Sequence, residues 1–419
     1  MGKIFDSTMK SQHKLSKSMT FNKGELLILL IITLLAIYAR FSLFDHTARD
    51  YNVFLSPWFD QLKNAGGFGG LGLSLGDYTP PYLYILATLT YIPVSSLMSI
   101  KMVSIIFDFI LAIFAVKLVW DKWQKSTYAV FVYAAILFAP TIVFNSSMWA
   151  QCDVIFTAFI AMSIWFFFKE KPFLATIMFS ISFCFKLQAI FFLPFLIVMW
   201  AKNKMKLRHF LLIPGVYLIS IIPAFIAGRP LKELLTIYFN QSGQYTALNY
   251  NAPNIYTIME GSVGKILSTA GIMVSGVVIL LSVYYLWMKK FKISKDFMVT
   301  LALFFAILIP FILPRMHERY FYLADALSII FVFFVPKRFY VAILVNLASL
   351  IGYAPYLFKN QAVPLVIGSL FMLIALIFIS IDLYKQTKIE DDEVELTQEE
   401  PVKLIDDNDI LNNYIAEIS

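Results

Sequence analysis

The chain has 419 residues, 59% of them hydrophobic and 15% charged, with a mean hydropathy of +0.74. A soluble domain is nearer a quarter charged, so an ordinary soluble fold is excluded. The net charge of +7 is no sign of a nucleic-acid partner, because the basic residues fall mainly in short loops between apolar segments, where they set membrane orientation.

In chain order, a basic N-terminus, 1–23, carries Lys3, Lys10, Lys14, Lys17 and Lys23. It lacks a signal-peptide pattern and reads as a cytoplasmic lead into an uncleaved first span. Apolar segments then follow at about 24–44, 97–120, 126–145, 153–169, 172–186, 187–202, 209–228, 263–288, 297–313, 319–335, 339–357 and 363–384. Runs of about 18–25 apolar residues cross a roughly 30 Å hydrocarbon layer. The expected fold is all-α, a polytopic membrane helical bundle of about 12 spans over 24–384. Each helix satisfies its own backbone in lipid, and continuously apolar runs do not alternate as barrel strands do. The stretch 172–202 suffices for two short crossings or one long tilted helix.

Segment 80–95 is apolar but broken by Pro93, and it is assigned to the outer interface. This assignment puts 23 of the 34 Lys and Arg on the inner side with both termini, as the positive-inside rule requires. The expected location is a bacterial plasma membrane. Two outer loops are long, 45–96 and 229–262. Within the first, Tyr51, Phe54, Leu55, Trp58, Phe59 and Leu62 suit a helix lying flat at the interface. The tail, 385–419, carries 11 acids and is expected to be disordered. Cys152 and Cys184 give neither a disulfide framework nor a metal cluster. No internal repeat is visible, which weighs against a transporter built from inverted halves.

Chemistry-bearing residues gather at the outer ends of the segments. Asp50, beside Arg49, is a candidate general base at the membrane surface, worth roughly 10²–10⁴ in rate; the alternative is a helix cap paired with Arg49. Asp77 and Tyr78 precede a turn set by Pro80 and Pro81. Trp149, Gln151 and Asp153 form a second polar cluster. Asp153 either joins Asp50 in binding hydroxyls or a divalent cation, or caps the next helix. Lys186, with Gln188, sits in apolar sequence where a charge is costly; it meets a lipid phosphate or snorkels. Arg315, His317, Glu318 and Arg319 lie within five residues and suit phosphate recognition, unless an arginine pairs with Glu318. Asp108 falls inside the second span and requires a basic or hydroxyl partner. Asn254 lies in an outer turn.

Read together, D-Y-x-P-P (Asp77 to Pro81), W-x-Q-x-D (Trp149 to Asp153), F-K-x-Q (Phe185 to Gln188), N-x-P-N-x-Y (Asn251 to Tyr256) and M-H-E-R-Y (Met316 to Tyr320), after the loop acid Asp50 and the Trp58 helix, resemble the GT-C class of membrane glycosyltransferases. The nearest likeness is to bacterial proteins similar to GPI mannosyltransferase II, across about 24–357. The resemblance implies an inverting transferase with Asp50 as base. It implies a polyprenyl-phosphate-sugar donor, mannose-like in the first instance, and a glycan, glycolipid or protein acceptor on the extracytoplasmic side of the bilayer. It maps His317 near the donor phosphate, with Arg315, Arg319 and Lys186 as further contacts. No cofactor is expected. The metal-using branch carries paired acids where Arg49-Asp50 stands, which argues against a divalent ion. The alternative function is a transporter or flippase of lipid-linked sugars or solutes, which would need polar residues at mid-membrane depth.

Overall fold

The computed structural model describes residues 18–76, 78–244, 246–259 and 264–398. Among these residues the chain is helical almost throughout. Its only strands are the two-residue pair β1 (Asn249–Tyr250) and β2 (Met316–His317), which run parallel with Tyr250 opposite His317.

Among the described residues, seven helices are long and apolar enough to cross a membrane. They include α1 (Lys23–Phe41), α4 (Ser96–Trp123), α10 (Leu212–Ile226, with the 3-10 turn before it), α12 (Gly264–Met288), α13 (Lys295–Ile312), α15 (Phe339–Leu357, with its own leading turn) and α16 (Leu365–Gln398). An eighth arises if α5 (Ser126–Phe138) and the segment Pro140–Met148, which begins with α6 (Pro140–Val143), count as one span bent by 49°. Pro140 explains the bend, since it cannot donate into the ladder and clashes with the preceding turn. The protein is therefore an all-α multi-pass membrane protein.

The expectation of about twelve spans is not met on helix length. Each remaining expected segment does hold helix, in α7 (Asp153–Phe168), α8 (Pro172–Phe185), α9 (Leu193–Ala201) and α14 (Tyr322–Val332). These have 9–16 residues, about 14–24 Å at 1.5 Å per residue, short of the hydrocarbon thickness. The stretch 172–202 is two helices, broken where Lys186 turns extended (φ −154°, ψ 134°) before a 3-10 turn, Leu187–Phe192.

Burial sorts the helices. The apolar window of α13 is 83% buried, against 11% for α1 and 17% for α12. A helix apolar all round belongs in a bundle interior. Rows of exposed Leu, Ile and Met on α1 and α12 are stable only against lipid. Around α13 pack α16 and α14, and α7 packs with α8 and α4.

Three expectations for the connecting segments change. The 229–262 region is not only loop, because α11 (Leu231–Gln244) occupies its first half. The helix expected at 50–64 is present as a π-helical turn, Tyr51–Leu55, running into α2 (Ser56–Asn64). The last helix continues through Gln398, crossing the boundary at 385 where a disordered tail was expected; residues 399–419 and the N-terminal residues 1–17 lie outside those described. Segment 80–95 forms α3 (Pro80–Leu89), buried along Tyr82, Leu83, Leu86 and Ala87.

Two buried cations set the end of α1. Lys101 Nζ donates to the carbonyls of Leu43, Phe44 and His46 at 2.9, 2.8 and 2.7 Å, satisfying the orphan acceptors that follow a helix C-terminus. One helical turn deeper, Arg40 Nε meets Asp108 Oδ2 at 2.9 Å, both side chains fully buried. Ser146 Oγ donates to the same oxygen at 2.7 Å. Asp108 thus has both the basic and the hydroxyl partner its position demanded. Removing one member of a buried pair costs about 3–5 kcal/mol, whereas replacing both with apolar groups is close to neutral. Arg40→Met should accordingly lower the detergent melting temperature sharply, and Asp108→Leu added to it should recover most of the loss, as followed by tryptophan fluorescence.

Candidate active site

Asp50 stands at the head of the π-helical turn Tyr51–Leu55. Its carboxylate is held from four directions. Oδ2 accepts from Gln151 Nε2 at 2.9 Å, Trp149 Nε1 at 3.2 Å and Arg319 Nη2 at 3.2 Å. Oδ1 accepts from the Tyr356 hydroxyl, which itself accepts from the Asp50 backbone N–H at 3.0 Å. Three of these four donors crowd Oδ2, whereas Oδ1, with about two lone-pair positions, accepts only one and keeps room for one more donor. The side chain is 19% exposed and opens on a cavity of about 590 Å³, within the range of ligand sites.

Local backbone explains how two near neighbours reach one acid. Residues i and i+2 of a regular helix point apart. After a π-helical turn at Phe144–Met148 the chain leaves helix, and Ala150 adopts φ +60°. That left-handed residue lets Trp149 and Gln151 both face Asp50. Ser104 Oγ fixes the carbonyl of Gln151 at 2.7 Å. The Trp149 ring is fully buried, stacked on Tyr356 with centroids 4.6 Å apart and planes 17° apart.

Arg319 links the acids. Besides Asp50 it approaches Asp153 Oδ2 at 3.5 Å and Glu318 Oε1 at 3.9 Å, donates to Gln151 Oε1, and lies 5.0 Å over the Trp149 ring. Asp153 is buried; its other oxygen takes Lys186, and Asn145 Nδ2 donates to Oδ2 at 2.8 Å. The position between Asp50 and Asp153, considered above for a divalent ion, is therefore filled by a guanidinium. Among the described residues no three His, Cys, Asp or Glu side chains gather as a metal site.

The cavity is lined by Asp50, Tyr78, Gln151, Lys186, Gln188, Arg315, His317, Glu318 and Arg319 of the expected residues. Tyr78 donates to Gln151 Oε1 at 3.4 Å and packs edge-on to Trp58 at 5.5 Å. Gly76 beside it has φ +55°, and a Cβ there would lie 2.1 Å from the Trp58 ring, so only glycine fits. Arg315, itself at φ +64°, donates from Nε to Ser268 Oγ at 2.8 Å. His317 is stacked on Tyr250 at 4.5 Å and 13°, a contact set by the β1–β2 register.

Three expected residues stand elsewhere. Trp149 and Asp153 do not line the cavity and instead hold the groups that do. Asn254 is buried; its side chain accepts from Tyr256 N at 3.0 Å and donates to the Pro310 and Leu313 carbonyls at 3.3 and 3.4 Å, so its bonds are used in shaping the loop. Asp77 lies outside the described residues. Lys186 lines the cavity and pairs with Asp153. The sequence reading missed Tyr356 and Tyr250, whereas Asn251, which opens the N-x-P-N-x-Y motif, does line the cavity. Tyr356 follows Pro355 inside an apolar span, where nothing distinguishes it from an interfacial tyrosine.

Electrostatics correct one expected role. Burial, assisted by the Arg319 charge, pushes His317 down to about 3. The imidazole is neutral at physiological pH and offers a hydrogen bond, not a positive charge. Burial also pushes Glu318 up to about 7, against the pull of Arg319.

No model of a known protein family matches the chain, and no curated protein is significantly similar to it.

A carboxyl whose folded pKa is raised contributes stability below its unfolded value, near 4.5, and loses that contribution as pH climbs through the folded value near 7. Melting temperatures of the wild-type protein should therefore fall between pH 5 and 8. Glu318→Gln, which keeps the shape of the neutral acid, should match wild type at pH 5 and flatten that decline. An unchanged pH slope in the variant would count against a buried, protonated Glu318.

Proposed function

We propose that the chain is an inverting glycosyltransferase of the GT-C kind, moving a hexose from a polyprenyl-phosphate-sugar donor to an acceptor hydroxyl on the extracytoplasmic face. The observation that carries the reading is that Asp50 lines the same cavity as Lys186, Arg315, His317 and Arg319, although these residues are spread over 270 positions of chain. A base, three cations and a hydrogen-bonding imidazole on one chamber are what transfer from a phosphate leaving group requires. Under this reading the bundle crosses twelve times, the short helices sitting within a bundle that shields them, with both termini cytoplasmic.

The chemistry follows the charges. An acceptor hydroxyl entering beside Oδ1 of Asp50 gives its proton to the carboxylate while its oxygen bonds to the anomeric carbon. The bond from that carbon to the phosphate oxygen breaks on the opposite side, and the electron pair leaves with the lipid phosphate. Lys186, Arg315 and Arg319 stabilise the charge that grows on the phosphate, and neutral His317 adds a hydrogen bond. Lys186 and Arg319 already balance carboxylates, so the phosphate competes with Asp153 for them. Apolar lining from Phe54, Leu187, Ile190 and Ile272 suits a lipid-linked donor. Asp108 is the mid-bundle charge a transport path would use. It lies off the cavity and is matched by Arg40, which favours transfer over transport.

The test is a panel of radiolabelled polyprenyl-phosphate sugars with the full-length protein in membranes. One sugar should be transferred by wild type, and Asp50→Asn should lose at least about 10²-fold in rate with the melting temperature retained. Tyr356→Phe, which removes one charge-assisted hydrogen bond from the base, should lose about tenfold. Turnover by Asp50→Asn near the wild-type rate refutes the assignment of the base.

A further inference from the structure

The end of the bundle opposite the cavity carries a second built feature. Helix α9 starts from the 3-10 turn beside Lys186 and runs away from the site; α12 likewise leaves the Tyr256 side, where Gly271 abuts the Tyr256 hydroxyl. Their far ends meet. Lys202 Nζ donates to the carbonyl of Lys289 and to that of Trp287 at 3.3 Å, and lies 4.3 Å over the Phe291 ring. One lysine thus staples two loops 85 residues apart. The first loop is tightly formed, with Asn203 at φ +57° and Lys204 N donating to Met199 O at 2.8 Å.

The stapled surface has one sign of charge. Lys204, Lys206, Arg208, Lys290 and Lys292 are exposed on it, and neither 200–211 nor 284–293 contains an acid. Beside these cations, Leu207 is 62%, Leu211 72% and Trp287 52% exposed. Trp287 packs on Trp200 at 6.0 Å, an amphipathic ring pair of the kind that sits at headgroup depth. Cations beside exposed apolar and indole side chains match a phospholipid headgroup above its acyl chain, and basic clusters at helix ends take anionic lipids.

We propose that the 202–211 and 287–292 loops form a binding surface for anionic phospholipid headgroups, independent of the cavity. The occupant is a lipid rather than free phosphate, because the cations are continuous with exposed Leu207, Leu211 and Trp287, which a free anion would leave bare. Each cation at such a surface contributes about fivefold in affinity, the equivalent of roughly 1 kcal/mol.

The experiment titrates full-length protein in phosphatidylcholine–detergent micelles with short-chain phosphatidylglycerol, reading the melting temperature by tryptophan fluorescence. Phosphatidylglycerol should raise it at low salt, and 0.5 M NaCl should remove the rise. Lys204→Gln/Lys206→Gln/Arg208→Gln should need about 100-fold more lipid for the same rise. Lys63→Gln/Lys232→Gln/Lys359→Gln, which removes equal charge from exposed positions elsewhere, should behave as wild type. Equal losses in both triple variants would reduce the effect to net charge and overturn the site. A rise produced as well by inorganic phosphate would overturn the lipid assignment. Neither result bears on transfer at Asp50, so failure here leaves the catalytic reading standing.

Discussion

The guanidinium of Arg319 is the interaction on which the site depends. Asp50 and Asp153 are carried by segments about 100 residues apart and both turn toward the bundle interior. Two carboxylates converging in a low-dielectric region would repel, and each would lose its hydration. Arg319 meets both, and its planar fork reaches Asp50 and Asp153 from different nitrogens while its face lies on Trp149. A lysine, a compact point charge, could not make those contacts in one geometry. Lys186 then balances the remaining charge on Asp153. Burial pushes Glu318 up to about 7, so it adds little charge to a cluster in which Arg319 and Lys186 offset Asp50 and Asp153, which is the condition for keeping it within a membrane protein.

That neutrality is bought with backbone irregularity. Two π-helical turns, Tyr51–Leu55 and Phe144–Met148, flank the acid and its partners, and Ala150, Asn251 and Arg315 adopt positive φ without being glycine. Such conformations persist where surrounding contacts over-determine them, and they concentrate at functional sites. Here the reason is geometric. Trp149 and Gln151 must converge on one carboxylate, and the Arg315 backbone must turn to pair with Leu248 before β2 aligns His317 with Tyr250. Regular helix would send these side chains to different faces.

Much of this organisation was legible from the residue string. Apolar runs located the helices, because lipid leaves the backbone no other solution. The polar residues between those runs converge because helix ends at one side of a bundle are neighbours whatever their distance in sequence; this brought Asp50, Gln151, Lys186 and His317 to one cavity. Asp108 required a partner, and Arg40 with Ser146 supplied it. Less was legible where tertiary packing decides. Composition located α7, α8, α9 and α14 but not their lengths, because it reports apolarity and not the point at which a proline or an extended Lys186 interrupts the ladder. Asn254 looked like a site residue, yet its amide closes an Asx-type turn. Tyr356 reaches Asp50 from 306 positions away, and no local pattern encodes such a pairing. Spacing groups His317 with the candidate phosphate-binding arginines, and the neutral state of its ring was not legible because sequence shows its neighbours but not its burial.

The two ends of the molecule use the same side chains under different rules. At the cavity each mapped cation meets an oxygen: Lys186 that of Asp153, Arg319 those of Asp50 and Asp153, Arg315 that of Ser268. An anion arriving there must displace an existing partner, so its binding is selective for groups that return as many contacts as they break. At the opposite end the acids are absent from the sequence of both basic loops, and the lysines stand in solvent around a single staple. There an anion displaces only water, binding is salt-sensitive, and little shape is demanded of it. The difference is set by where Asp50, Asp153 and Glu318 fall in the chain. Acids placed among the cations turn a basic cluster into a recognition site, and their omission leaves a surface that attracts anions by charge and takes its lipid preference from exposed Leu207, Leu211 and Trp287.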